Sequence, residues 1–355
     1  MIHIPYIYFS IVCLFWTLGY RKFIKYFVAL GVTLNFIMEG LRWNTGTDWH
    51  AYLYHYQNIE NLPENYNYFE PGYHYLVKFS TNNELPYNFI LIVAAGVTNY
   101  FIHWKIYKLF NNPLTLLVTI SSLIMFLGSS RQCVAVALTT YGLILLRDRK
   151  SICSIAYLSA ACFFHSTAVL GVIYFIINKY TEGNAKERLS IALIATIVVG
   201  AMSSYYLDIF SQYNSYIFHE ETNSNNSNKF LGLMRIITLG CIIYFINKES
   251  SQRTQSLYVI CLLLIFYVLG NSVVKTADSR LSLYLYPYFV CSALYSNYAQ
   301  LTKNQQLCIY LAICSFFLIP YLRNPYPGLF YPYYSIFDMG IIGDEERPHG
   351  TQLSW

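Results

Sequence analysis

What most constrains this chain is the way its apolar runs are punctuated. Long apolar stretches recur from end to end, and every second break between them is rich in lysine and arginine while the intervening breaks carry fewer basic and more acidic residues. A hydrocarbon core of roughly 30 Å needs about 20 residues of helix, fewer where packing thins the bilayer. Twelve stretches meet that need: 2–20, 22–40, 86–109, 113–128, 131–146, 151–164, 166–179, 189–206, 230–247, 255–274, 281–300 and 305–322. The expected fold is an all-α integral membrane protein with about twelve transmembrane helices, give or take one, forming a single polytopic domain over 1–355.

Composition closes off the alternatives. Hydrophobic residues make up 55% of the chain and charged residues 12%, about half the charged share of a soluble domain, which excludes a water-soluble globule. The net charge of +5 is not gathered into any dense basic run, so nucleic acid is not an expected partner. Nine cysteines lie scattered with no CxxC pair, pointing to small apolar fillers rather than to a disulfide framework or a zinc site. The first twenty residues lack the basic start and small-residue cleavage site of a secretory signal, and the expectation is a retained first span.

The basic breaks orient the chain. Arg21/Lys22/Lys25, Lys105/Lys108, Arg147/Arg149/Lys150, Lys179/Lys186/Arg188, Lys248/Arg253 and Lys303 all fall on one side, which the positive-inside rule makes cytoplasmic. The opposite side then holds both termini, a long segment at 41–85, a loop at 207–229 and a tail at 323–355. The spans on either side of His165 are only 14 residues each, about 21 Å of helix, so His165 is expected near the tip of a shallow hairpin.

On that outer side a cation is out of place. Arg131 follows Ser129 and Ser130 into the first turn of a helix, where the macrodipole disfavours positive charge, and Arg280 repeats the arrangement after Asp278 and Ser279. Arg235 sits inside a span, where a central charge costs roughly 3 kcal/mol on insertion scales. Lys275, Arg42 and Arg323 complete the set. Each cation could simply pair with Glu39, Asp48, Glu70 or Asp278. As a group they are what a dianionic ligand held without metal would require, with helix N-terminal amides assisting.

The outer acids and histidine form a second group. After the turn Asn44-Thr45-Gly46, Thr47 or Asp48 is the expected N-cap of a helix reaching Ile59, whose stripe Trp49, Tyr52, Leu53, Tyr56, Ile59 suits the membrane interface. Glu70-Pro71 opens a second amphipathic helix through Phe79. Asp48 and Glu70 are each either a cap or an acid–base group. His165 is either a satisfied core imidazole or a functional group, a proton acceptor or a hydrogen-bond donor to phosphate. Outer tyrosines such as Tyr73 and Tyr333 are candidates for stacking on sugar rings. No HExxH, P-loop, GxSxG or DxD motif occurs, which removes the usual support for metalloproteolysis, ATP hydrolysis and a serine esterase.

Taken in order, RWNTGTDWHAY (42–52), FEPGYHYL (69–76), SSRQCVAVAL (129–138), FFHSTAVL (163–170) and, more loosely, DSRLSLYLYPYF (278–289) and YPYYSIF (331–337) resemble the Wzy/EpsG-like family of polysaccharide repeat-unit polymerases. The resemblance implies a GT-C-like glycosyltransferase of the bacterial inner membrane with its active site facing the periplasm. It implies metal-independent, inverting transfer of a growing glycan from undecaprenyl diphosphate to a lipid-linked repeat unit, without a cofactor and with a chain-length regulator as a possible membrane partner. Arg131, Arg280, Lys275 and, on charge placement alone, Arg235 would grip the diphosphate; Asp48, Glu70 or His165 would act on the acceptor hydroxyl; Arg42, Asp278, Tyr73, Tyr333 and, again on charge placement alone, Arg323 would contact substrate. A lipid-linked saccharide flippase, an O-antigen ligase-type transferase and a membrane acyltransferase using His165 are the rival readings.

Overall fold

The computed structural model describes residues 3–46, 48–62, 69–124, 129–181, 184, 187, 190–191, 237, 240–246, 283–322 and 334–338. Two units are distinguished: Met1–Val169 with Thr302–Trp355, and Leu170–Leu301.

In the first unit, α1 (His3–Leu18) and α2 (Ile24–Gly40) pack together, and α1 also meets α7 (Leu114–Ile124) and α12 (Lys303–Leu322). One face of α1 buries Tyr6, Phe9, Val12 and Cys13. The other leaves Ile4, Ile7, Ile11, Phe15 and Leu18 uncovered. A helix apolar on both faces is stable only where the second face meets lipid. The Tyr6 hydroxyl donates to the Cys314 carbonyl at 2.6 Å and Tyr310 to Ser10 O at 3.0 Å, tying α1 to α12.

α5 (Tyr87–Thr98) continues through a π-helical stretch (Asn99–Lys105) into α6 (Ile106–Phe110). The resulting helix, Tyr87–Phe110, has 24 residues and a mean hydropathy of 1.4. Among the described residues it alone is long and apolar enough to cross a membrane by length and composition, while Ile4–Leu18, Ser151–Phe164 and Ser166–Tyr180 are apolar but shorter. α8 (Ser130–Arg147) lies along α9 (Ser151–Phe164). Gly142 permits that approach, since a Cβ there would come within 3.1 Å of Leu158 and 3.3 Å of Ser154 O. These helices fall on the expected spans. The span expected at 255–274, and most of those at 189–206 and 230–247, lie outside the described residues.

The 41–85 segment differs from expectation. Arg42–Trp43 forms strand β1, antiparallel to β2 (Tyr334–Ser335), with Arg42 opposite Ser335 and Trp43 opposite Tyr334. Asn44 and Gly46 take positive φ in the turn that follows, and α3 (Trp49–Asn58) and α4 (Pro71–Asn82) stand after it. The stripe on α3 is not laid out for lipid: Trp49, Tyr52 and Leu53 are buried with Trp43, Phe69, Tyr73, Val77, Tyr87, Ile90 and Leu91. Two short helices with aromatic faces remove more apolar surface from water by covering each other than by resting in a headgroup layer. The segment is therefore an ordered cap on α5, clipped by β2.

In the second unit, α10 (Val169–Tyr180) carries Tyr174, whose ring stands edge-on to Tyr288 and Phe289 of α11 (Tyr286–Asn297), at 6.1 and 5.5 Å between centroids. Ile242, Ile243 and Ile246 are buried.

Candidate functional site

The site is assembled around the start of α8. Ser129 stands at the N-cap position with no side-chain capping bond, and the first turn presents Arg131 where the helix dipole disfavours a cation. Its surroundings supply what the dipole does not. An Arg131 Nη1–Glu70 Oε2 ion pair forms, and Arg131 Nε donates to the Tyr52 hydroxyl at 3.2 Å. The guanidinium carbon lies 4.2 Å from the Phe69 ring centroid, 5.3 Å from Tyr52 and 5.8 Å from Tyr73, an aromatic box of the kind that holds a cation. Both side chains of the pair are largely buried, 14% and 17% exposed.

Glu70 heads α4 in an extended conformation with Pro71 next to it, which turns its carboxylate away from its own helix. The second oxygen, Oε1, accepts the Ser166 backbone N–H at 2.9 Å. That amide is available because His165 is extended (φ −158°, ψ 123°), so α9 stops there and the chain turns. Gly72 lets the head of α4 sit on the end of α9; a Cβ would lie 2.7 Å from the Phe163 carbonyl oxygen. Burial alone would raise the Glu70 pKa. The Arg131 guanidinium, the Ser166 amide and nearby His165 outweigh it and hold the carboxyl below its ordinary range. His165 Nδ1 is 2.7 Å from Thr167 Oγ1.

Asp48 is joined through Tyr52, whose hydroxyl accepts from Arg131 and donates to Asp48 Oδ2 at 3.4 Å. Burial first, and the Asp48 carboxylate second, push the Tyr52 hydroxyl up to about 12, with Arg131 opposing. Behind it, His55 is lowered to about 4 by burial, then by His74 and Arg131, and so stays neutral among the rings.

A second buried cation adjoins the first. Arg42 is 4% exposed, donates from Nη2 to Ser130 Oγ at 2.5 Å, and has its Nε buried without a hydrogen-bond partner among the described residues. It lines a narrow cleft with room inside for about one water-sized group, with Glu39, Thr98, Ser130 and Cys133 as the other lining residues with polar atoms. Glu39 is fixed from behind. Asn35 Nδ2 donates to its Oε1 at 3.0 Å and Asn99 Nδ2 to its Oε2 at 2.6 Å, while Asn35 also donates to Asn99 Oδ1 at 2.9 Å.

Of the residues expected from sequence, Arg131, Glu70, Asp48 and His165 thus come together, with Arg42 beside them. Tyr73, expected to face a saccharide, is instead 2% exposed as a wall of the Arg131 box, with no open face for a sugar ring; an aromatic ring gains more from covering a buried guanidinium than from standing in water. Arg235, Lys275, Asp278, Arg280, Arg323 and Tyr333 lie outside the described residues. Sequence reasoning missed Tyr52, Ser130 and Ser166 as polar partners and the Glu39–Asn35–Asn99 cluster. The signals were the i, i+4 spacings Asp48–Tyr52 and Asn35–Glu39.

Segments at 41–46, 69–70, 129–131, 165–166 and 334–336 all meet here. No curated protein and no solved structure matches the chain. The EpsG family model matches it over residues 24–335, taking in every segment of this cluster apart from Ile336. The chain is a membrane protein of polysaccharide synthesis, and it belongs to the EpsG family.

Proposed function

We propose that the chain is a repeat-unit polymerase that transfers a growing glycan from undecaprenyl diphosphate to a lipid-linked repeat unit on the outer face of the bacterial inner membrane. The carrying observation is the convergence of Arg131, Glu70, Asp48 and His165, four residues from four sequence-distant motifs, at one end of α8. A purely structural ion pair would not need an acid, an imidazole and a second buried arginine beside it.

In this reading the Arg131 guanidinium, oriented by Glu70, Tyr52 and the aromatic box, turns its remaining N–H groups to the diphosphate. A guanidinium has five donors, and the two bonds described leave others free for an anion. By the sequence expectation, Arg280, Lys275 and Arg235 would add charge toward the lipid phosphates and help to stabilise the negative charge that grows as the glycosidic bond breaks, without a metal. The acceptor hydroxyl attacks with inversion and gives its proton to a base on this face. Glu70 is the weakest of the expected bases, because one oxygen is committed to Arg131 and the other to Ser166. Arg42 and, by the sequence expectation, Asp278, Arg323 and Tyr333 would contact the saccharide.

The test is reconstitution of the purified protein with a single lipid-linked repeat unit and EDTA. A ladder of products supports the polymerase. One transfer to a different acceptor identifies a ligase, and translocation with no new bond identifies a flippase. A ladder that needs added divalent metal would overturn the metal-free step.

A further inference from the structure

The cleft beside Arg131 has a chemistry of its own. At one side stands Arg42, buried, with an unmet Nε–H and, among the described residues, no carboxylate within ion-pair distance. At another stands the Glu39 carboxylate, each oxygen accepting one asparagine N–H. A carboxylate offers about four lone-pair directions, so two remain open. The walls between, Leu91, Ala94 and Ala95, are apolar. The interior has room for about one water-sized group, the minimum for a polar occupant.

Whatever sits there must accept a hydrogen bond from a guanidinium and donate one to a carboxylate. A phosphate oxygen can do the first and is repelled by the second. An ammonium can do the second and is repelled by the first. A hydroxyl does both at once. Resting on the polymerase reading above, we propose that the Glu39–Arg42 cleft receives the attacking hydroxyl of the acceptor sugar, with Glu39 as the catalytic base and Arg42 as the group that orients the oxygen.

The surrounding geometry fits that role. Asn99 opens the π-helical stretch of the 87–110 helix, a local widening frequent where a helix side chain is re-aimed for function. Asn35 and Asn99 bond each other as well as Glu39, which locks both amides with their N–H groups toward the carboxylate and keeps it in one orientation. Ser130, which accepts from Arg42, directly precedes Arg131, so the hydroxyl cleft and the proposed diphosphate grip occupy adjacent positions of one helical turn. In the step, the O–H proton passes to a Glu39 oxygen while the hydroxyl oxygen forms its bond to the anomeric carbon. The bond from that carbon to the diphosphate oxygen breaks, and its electron pair leaves with the lipid diphosphate. Glu39 then releases the proton to water.

The experiment compares full-length wild type, Glu39→Gln, Glu39→Ala and Glu39→Asp in proteoliposomes with one lipid-linked repeat unit, reading product length and, separately, retention of radiolabelled lipid-linked unit on the protein. Glu39→Gln preserves shape and should lower elongation 10²- to 10⁴-fold, the usual effect of losing a general base, with retention of the lipid-linked unit within about threefold of wild type. Formate added to Glu39→Ala should restore part of the elongation, because it fits the vacated space and accepts a proton, and Glu39→Asp should keep a measurable fraction. Elongation by Glu39→Gln at the wild-type rate, or loss in Glu39→Ala that formate leaves unchanged while lipid retention stays normal, overturns the assignment: the cleft then holds water only. If wild type makes no ladder, the polymerase reading itself fails, so the two failures are distinguishable.

Discussion

Arg131 and Glu70, 61 residues apart in sequence, form an ion pair inside a box of three aromatic rings. The pair explains how α8 can begin with the wrong charge: the carboxylate and the ring faces offset the unfavourable field of the helix N-terminus over a few ångströms. It also bolts the head of α4 to the head of α8, while the Ser166 bond adds the end of α9.

Removing one partner should therefore cost more than removing both. Glu70→Gln leaves a largely buried guanidinium without its counter-charge and should destabilise the protein by roughly 1–3 kcal/mol. Adding Arg131→Met to that chain should restore part of the loss, because the uncompensated charge is then gone. Melting temperatures of the two single variants and the double variant in detergent give the coupling, and strictly additive losses would show that the pair contributes no mutual stabilisation.

Arg131→Lys keeps the charge and loses the planar fork and the stacking on Phe69. Elongation should fall at least tenfold while the protein still inserts, since a lysine cannot serve Glu70, Tyr52 and a phosphate together. Product ladders at matched protein levels check this.

The close approach at Gly72 gives a steric prediction. A methyl group there meets the Phe163 carbonyl at 2.7 Å, so Gly72→Ala should push α4 from α9 and draw Glu70 from Ser166. A loss of stability of about 1–3 kcal/mol is expected, with Gly72→Val worse, as read by thermal unfolding in detergent.

His55 makes the cap acid-sensitive. Its pKa is depressed from 6.5 to about 4, so between those values the unfolded chain binds more protons than the folded one. The stabilising contribution is complete above pH 6.5 and declines as pH falls toward 4, by up to roughly 3 kcal/mol in total. His55→Phe, which keeps an apolar ring in the cluster, should flatten that part of the stability–pH curve. An unchanged slope between pH 6.5 and 4.5 would assign the acid sensitivity to other groups.

The β1–β2 clip fixes where the C-terminal segment runs. Ile336 N–H donates to the Leu41 carbonyl at 2.9 Å, one step beyond the Arg42–Ser335 pair. Leu41→Cys with Ile336→Cys should cross-link under mild oxidation, and either cysteine alone should react with a membrane-impermeant thiol reagent from the same side of the membrane. Labelling from opposite sides would contradict the register.

Much of this was legible in the sequence. Among the described residues, helix positions followed from apolar length, because the length of a span is set by the solvent rather than by distant contacts. Asp48, Glu70, Arg131 and His165 stood out as polar groups at helix starts and breaks. What stayed hidden depends on tertiary proximity. The α3 stripe looks the same whether its cover is lipid or α4, so its inward turn could not be read from spacing. Tyr73 was read as an open sugar platform because an outer tyrosine gives no sign of a guanidinium beside it. Glu39 was visible only as a possible partner for a cation; the two asparagines that orient it come from α2 and from the start of the π-helical stretch, 64 residues apart.

The most direct test of the central claim is elongation of a lipid-linked repeat unit, with EDTA present, by wild type and by Arg131→Ala reconstituted at equal density. A wild-type ladder that disappears in Arg131→Ala, with insertion and melting temperature close to those of Glu70→Gln, is the predicted result. A ladder of unchanged length and rate in Arg131→Ala would contradict the account.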